Sequence, residues 1–293
     1  MDAAVKDTAH QEGRMTVSDM TIDLKAAAPL VLVGAGKMGG AMLEGWLGRG
    51  LEASDVFVLD PNPPAEMADF IAARGLRHKT APPASLAAKV IVLAVKPQVL
   101  DAVLPTLAHL VSPETIVLSI AAGKTLDGIL EGIGRTAIVR AMPNTPAQVG
   151  RGITAAVAND LVTDQQKSLV SALLAAVGDV EWLDREELID AVTAVSGSGP
   201  AYVFHMVEAL AAAGVAAGLD EGLAARLARA TIEGAGELLY QSPLEPAVLR
   251  QNVTSPKGTT AAALDVLVAA DGLTKLMTSA VAAAANRSRE LAG

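Results

Sequence analysis

Cysteine is absent from the 293-residue chain. That excludes disulfides, thiolate-bound zinc, iron–sulfur clusters and a thiol nucleophile, and it fits a reducing, cytoplasmic setting. Aromatic residues are scarce: two Trp, two Tyr and three Phe. The core must be built from Ala, Val and Leu, whose small side chains favour close helix packing. The four histidines, His10, His78, His109 and His205, are scattered without metal-ligand spacing, so no metal is expected. No uncharged apolar run reaches the ~18 residues of a membrane span, so no membrane segment is expected. Basic residues number 23 against 32 acidic, a net charge of −9. A nucleic-acid surface needs the opposite sign. A small anionic substrate stays open, because a few backbone amides can bind one locally.

What is present divides into three stretches. Residues 1–28 are mixed polar and charged, lack a signal-peptide core and read as a flexible tail, with Met15 and Met20 as alternative starts. Over residues 29–185, short apolar runs alternate with helical patterns: Leu30–Val33, Val56–Leu59, Val90–Val95, Thr115–Ile120 and Ala137–Arg140 read as strands. Such alternation specifies a parallel sheet with helices on both faces, the doubly wound α/β class. Over residues 186–293 no strand run occurs. Helical periodicity covers Glu186–Val195, Ala201–Ala217, Glu221–Tyr240, Thr259–Ala270 and Leu273–Leu291. These Ala-rich helices lack the aromatics to close a large core alone, so packing against a second subunit is expected.

Gly34-Ala35-Gly36-Lys37-Met38-Gly39 is a G-x-G-x-x-G that follows the first strand and opens a helix, the context that gives the motif meaning. Gly34 permits the tight turn, Gly36 lets backbone approach a pyrophosphate, and Gly39 lets helix and strand pack closely. Amides of the helix start then hold phosphates without a basic side chain. This is a Rossmann-type dinucleotide site. Asp60 ends the second strand, where a carboxylate accepts from a ribose 2′-hydroxyl and repels a 2′-phosphate. Pro61-Asn62-Pro63-Pro64 offers no cation to offset that, so the local chemistry leans to NADH over NADPH. Lys96-Pro97 and Ala121-Ala122-Gly123 stand at carboxyl ends of strands, the ligand edge of an open α/β sheet.

Two segments join Gly, Pro and hydroxyl residues at helix starts: Ser196–Pro200, leading to Tyr202, and Val253–Thr260. Free amides beside Thr hydroxyls make a neutral anion site suited to a substrate carboxylate, whereas ordinary capping needs only one such residue. Tyr202 after a Gly-Pro turn reads as packing rather than as a proton donor.

Together these segments, with Ala94-Val95-Lys96-Pro97 and Arg140-Ala141-Met142-Pro143-Asn144-Thr145-Pro146, closely resemble pyrroline-5-carboxylate reductase from about Leu30 to Leu291. The resemblance implies a cytoplasmic enzyme that reduces 1-pyrroline-5-carboxylate to L-proline with NADPH or NADH. It also implies a Rossmann domain followed by an all-helical dimerisation domain, in a homodimer that can assemble into a decamer. Carried over by position, Thr259 and Thr260, with Ser255 and Gly258, hold the substrate carboxylate and ring nitrogen, and Thr260 is the catalytic candidate. Glu186 lies near bound proline and Asn252 near the nicotinamide. Asp60 and Asn62 surround the adenine-side ribose; Val95, Lys96, Pro97, Ala121 and Ala122 line the nicotinamide half. Lys257 stands where the family usually has Gly, and Ala81 where some members have a cofactor-contacting Asn. The competing readings are a β-hydroxyacid dehydrogenase, another cyclic-imine reductase and a non-catalytic dinucleotide-binding protein. Arg226, Arg229 and Lys275, basic residues on C-terminal helices, do not sit beside a Gly-rich entry turn as the first would require.

Overall fold

The strand β1 (Leu30–Val33) is apolar at every position and fully enclosed. Its neighbours are β2 (Val56–Leu59) on one side and β4 (Val90–Leu93) on the other, both parallel and in register from Leu30 onward. Beyond β2 lies β3 (Arg77–Lys79); beyond β4 lie β5 (Ile116–Ser119), β6 (Ala137–Met142), β7 (Gly152–Ala158) and β8 (Gly178–Trp182). The order is β3-β2-β1-β4-β5-β6-β7-β8. The computed structural model describes residues 23–292, so residues 1–22 of the expected tail lie outside the described residues.

Period-two alternation sends successive side chains of each strand to opposite faces. Leu30, Leu32, Val90 and Val92 join one buried cluster with α1 (Lys37–Gly48), α2 (Ala65–Ala73) and α5 (Asp164–Ala175). Val31, Val33, Ile91 and Leu93 join the other with α3 (Pro97–Leu107) and α4 (Leu126–Ile133). The sheet is therefore doubly wound, as the apolar runs imply. Trp46 of α1, fully buried, donates from Nε1 to the Leu173 carbonyl at 2.8 Å, which meets the polar need of a buried indole.

Four features differ from the sequence reading. Order begins before Pro29: Asp23 caps a 3₁₀ turn, Leu24–Ala27, whose Leu24 and Ala27 are buried against the first cluster. The sheet is not wholly parallel, because β7 runs antiparallel to β6. Only residues 143–151 join these two strands, too few for the crossover that a parallel return requires. Strands β3, β7 and β8 and helix α5 go beyond the elements expected. Finally, Glu186–Val195 is not one α-helix: α6 (Leu188–Val192) passes into a π-turn over Thr193–Gly197, where Thr193 and Ser196 donate to carbonyls four residues back.

The chain divides into two units. The first runs to Gly197 and resumes at Arg287; the second is Ser198–Asn286. Residues 186–197 pack with the first unit, where Ile189 joins its second apolar cluster. The second unit contains α7 (Gly199–Ala216), α8 (Glu221–Gln241), α9 (Pro246–Asn252), α10 (Thr259–Leu267) and most of α11 (Leu273–Ala292). Helix α9 falls between the expected helices Glu221–Tyr240 and Thr259–Ala270, where none was expected. Gly214 of α7 faces Ala224 of α8, and an added Cβ would stand 3.2 Å from the alanine methyl. Small residues thus bring the two helices together. Helix α7 has no buried residue at all, and α8 has only Ala224 and Ala228. No helix among the described residues is long and apolar enough to cross a membrane.

Candidate active site

The chain winds from β1 to β2 and β3, then crosses back to β4, so the carboxyl ends of β1 and β4 diverge. A crevice at such a switch point is where open α/β sheets bind ligands. The glycine turn after β1 is held at this crevice from two sides. The Gly34 amide donates to the Leu59 carbonyl at 2.8 Å, and the Ala35 amide donates to Asp60 Oδ2 at 2.7 Å. Gly34 has φ +93°, and a Cβ there would meet the Ala94 carbonyl oxygen at 2.8 Å. A Cβ on Gly39 would collide with the Gly34 carbonyl. Both glycines are thus required by the backbone. Gly36 is different: its Cβ would meet nothing within 4 Å. It caps α1 without a side-chain hydrogen bond, leaving the helix-start amides to face a ligand.

A cleft of about 670 Å³ opens over this turn. Gly34, Gly36, Asp60, Asn62, Val95 and Lys96 of the expected cofactor set line it, with Thr80–Pro82 and the outer face of α3. Ala81 offers only a methyl there. Lys96 is the N-cap of α3 and Pro97 its first residue. Ala35, Lys37 and Gly36 border a second crevice of about 370 Å³ toward α2. Met38 packs on the first core cluster and Gly39 is buried. The dimensions and the open glycine suit a dinucleotide.

Asp60 also accepts the Asn62 amide on Oδ1 at 2.8 Å, so each carboxylate oxygen carries one backbone donor. Its own carbonyl receives His78 Nε2 at 2.6 Å, and its amide donates to the Lys79 carbonyl. The basic strand β3 therefore stands directly behind the acidic corner. Sequence reasoning missed this, because Arg77-His78-Lys79 has no apolar pattern to mark a strand.

The loop after β5 leads through Ala121, buried, and Ala122, exposed, to α4. Glu186 Oε1 reaches this loop's end: it accepts the Leu126 amide at 2.9 Å and Arg140 Nη1 at 2.6 Å. Arg140 is buried, and its Nε has no hydrogen-bond partner.

In the second unit, Asn252 ends α9, and Thr254 donates to the Arg250 carbonyl. A tight turn follows, closed by the Gly258 amide on the Ser255 carbonyl at 3.0 Å. Gly258 caps α10 without a side-chain hydrogen bond. Thr278 and Ser279 of α11 donate to a carbonyl four residues earlier, and Thr254, just past α9, does the same. Thr259 and Thr260 sit in the first turn, before any such helical carbonyl, and neither hydroxyl is engaged among the described residues. The turn thus gathers uncapped amides and two idle hydroxyls, the equipment of a carboxylate site.

Residues 186–291 match the family model described as pyrroline-5-carboxylate reductase dimerisation, and residues 29–123 match one described as NADP oxidoreductase, coenzyme F420-dependent. The chain is 40% identical over 266 residues to a pyrroline-5-carboxylate reductase of Pseudomonas aeruginosa, covering 90% of this chain and 96% of that one. It resembles the solved pyrroline-5-carboxylate reductase of Coxiella burnetii with a TM-score of 0.83 at 35% identity, covering 91% and 99%. A Plasmodium falciparum pyrroline carboxylate reductase solved with NADP bound has a TM-score of 0.71 at 28% identity, covering 91% and 98%.

Proposed function

The chain belongs to the pyrroline-5-carboxylate reductase family, and from that premise we propose how its residues carry the reaction. It is an NAD(P)H-dependent oxidoreductase of proline biosynthesis that reduces 1-pyrroline-5-carboxylate to L-proline. The observation that carries this is the Pseudomonas aeruginosa relative, whose likeness runs through both the glycine turn and the Val253–Thr260 turn.

When bound, the reduced nicotinamide would supply a hydride to the carbon of the protonated imine, whose nitrogen stays in the ring and keeps its proton as the amine of proline. The protein's part is placement. Gly36 and the first amides of α1 hold the pyrophosphate; Asp60 and Asn62 hold the adenine-side ribose. Val95, Lys96, Pro97, Ala121, Ala122 and Asn252 border the nicotinamide half. Ser255, Gly258 and Thr259 hold the substrate carboxylate through uncapped amides and a hydroxyl. Thr260 hydrogen-bonds the ring nitrogen and fixes its orientation. A neutral hydroxyl is a weak acid, so it orients rather than drives proton transfer, and near-attack placement supplies most of the rate. A protonated imine is already electrophilic, so this chemistry asks for no metal.

NADH is the preferred reductant in this reading. The support is Asp60, a carboxylate in the cleft wall that a 2′-phosphate would have to approach, with no cation on the Pro61–Pro64 turn. The enzyme acts as a homodimer, with the decamer as a further assembly, in the cytoplasm. Exposed Phe204 and Leu238, each 64% accessible, are the apolar residues that a second copy would cover. Absorbance of the reduced nicotinamide, followed with pyrroline-5-carboxylate and each cofactor, tests the whole reading. Oxidation of NADH that ignores added pyrroline-5-carboxylate would refute it.

A further inference from the structure

We propose that Arg140 and Glu186 form a positioning pair that sets the Ala121–Ala122 loop, and through it the nicotinamide end of the cofactor site. The proposal rests on the reading above for the loop's role, but its geometry stands alone. Arg140 lies between Val139 and Ala141, whose side chains join the first cluster, so its own side chain projects to the opposite face with Ile138. That is the face α4 covers. One oxygen of Glu186 joins Arg140 Nη1 at 2.6 Å and the Leu126 amide at 2.9 Å. Leu126 is the first residue of α4 and follows the loop directly. The carboxylate thus ties the loop's exit to the middle of the sheet.

Capping by Thr125 does not reach this amide: Thr125 accepts the Gly128 amide at 3.1 Å, and the Leu126 amide, a second helix-start donor, is left to Glu186. Nor does the pair resemble an optimised stability element, because Arg140 Nε is buried without a partner. A buried ion pair gives little net stability even when every donor is met, and this one falls short of that. What it does fix is a place. The loop is held at its entry by the Ile120 amide on the Leu93 carbonyl and at Lys124 by Asp101 at 2.5 Å. Gly123 lies under the end of α11: a Cβ there would stand 3.2 Å from the Leu291 carbonyl oxygen. Glu186 adds the hold on the Leu126 amide itself, from the sheet side. In this arrangement Glu186 acts through Leu126 and does not touch the substrate, unlike the role that resemblance gives it.

The test compares Glu186→Gln, Arg140→Met and the double variant with the wild type. Binding of NADH and of ADP-ribose, which lacks the nicotinamide, is measured by calorimetry, with thermal unfolding alongside. The expected result is NADH binding weakened about tenfold in each single variant, with ADP-ribose binding within about twofold of wild type. The double variant recovers thermal stability but not NADH affinity. Equal weakening of both ligands would overturn the proposal, as would no weakening of either. A raised KM for pyrroline-5-carboxylate with NADH binding intact would also overturn it and return Glu186 to the substrate. Should Glu186→Gln fail to fold, Glu186→Asp, which keeps the charge and withdraws the oxygen, takes its place in the same readings. Binding needs no turnover, so an enzyme inactive toward pyrroline-5-carboxylate would sink the functional reading while leaving this one decidable.

Discussion

The carboxylate of Asp60 holds the glycine turn in place: its Oδ2 accepts the Ala35 amide at 2.7 Å. Asp60 therefore has two tasks, bracing the pyrophosphate turn and facing the ribose. Asp60→Ala leaves the buried Ala35 amide without its acceptor, a loss of about 1–3 kcal/mol, while the exposed Asn62 amide turns to water. NADH affinity falls. NADPH suffers the same loosening but gains relief from charge repulsion. The ratio of kcat/KM for NADPH over NADH is expected to rise about tenfold in steady-state kinetics with both cofactors. An unchanged ratio would show that Asp60 does not set the preference.

Two glycines of one turn should respond in opposite ways. Gly34→Ala must strain a φ of +93° and drive a methyl into the Ala94 carbonyl, so stability and NADH binding fall together. Gly36→Ala meets no protein atom and has an ordinary φ of −70°, so unfolding shifts by no more than about 0.5 kcal/mol. Its methyl stands where backbone meets pyrophosphate, and NADH binding alone weakens. Denaturant unfolding and NADH fluorescence titration separate the two.

The contrast shows what was legible in the sequence. Strands such as Val90–Leu93 announce themselves because both their faces are buried, and the glycine turn because backbone geometry leaves few residue choices. Strand β3 was invisible: an edge strand of Arg, His and Lys has no apolar periodicity, and only its pairing with β2 defines it. Helix α5 carried a signal that went unread, the Thr163–Gln166 capping box. The meeting of Arg140 with Glu186 across 46 residues follows from tertiary packing, which no local pattern encodes. The Thr259–Thr260 turn was readable because capping chemistry is local.

Thr260→Ala removes one hydroxyl from that turn. The loss of one oriented hydrogen bond to a charged or developing centre costs about 1–3 kcal/mol of transition-state binding, or about 5–150-fold in kcat/KM. Thr260→Ser, which restores the hydroxyl, should recover most of it. Folding stability stays near wild type, because the side chain makes no hydrogen bond to lose among the described residues. Kinetics unaltered in Thr260→Ala would remove it from the reaction.

The apolar surface of α7 predicts an assembly defect. Phe204 and Leu210 are exposed at 64% and 43%, on a helix with no buried residue of its own. Phe204→Asp places a charge where a second copy would cover apolar area, and an unpaired buried charge is strongly unfavourable. Sedimentation velocity at micromolar concentration should show monomer in the variant and dimer in the wild type. A dimer that survives the change would place the interface elsewhere.

Lys257 offers the sharpest separation of stability from function. It is the one non-glycine residue with positive φ among the described residues, at 61°, in the turn before Gly258. A side chain in this conformation costs about 1–2 kcal/mol, of which Lys257→Gly returns part, because glycine loses about 0.5–1 kcal/mol more backbone entropy on folding. The glycine variant should thus be slightly more stable than wild type, by up to about 1 kcal/mol. Lys257→Ala keeps the strain and loses the charge. If the ammonium attracts the substrate carboxylate, both variants raise KM for pyrroline-5-carboxylate by about two- to tenfold, with kcat little changed and the effect fading at high salt. Stability and KM then move apart in Lys257→Gly, a pattern that relief of strain alone cannot produce. An unchanged KM in both variants at low salt would mean that the lysine only solvates the turn.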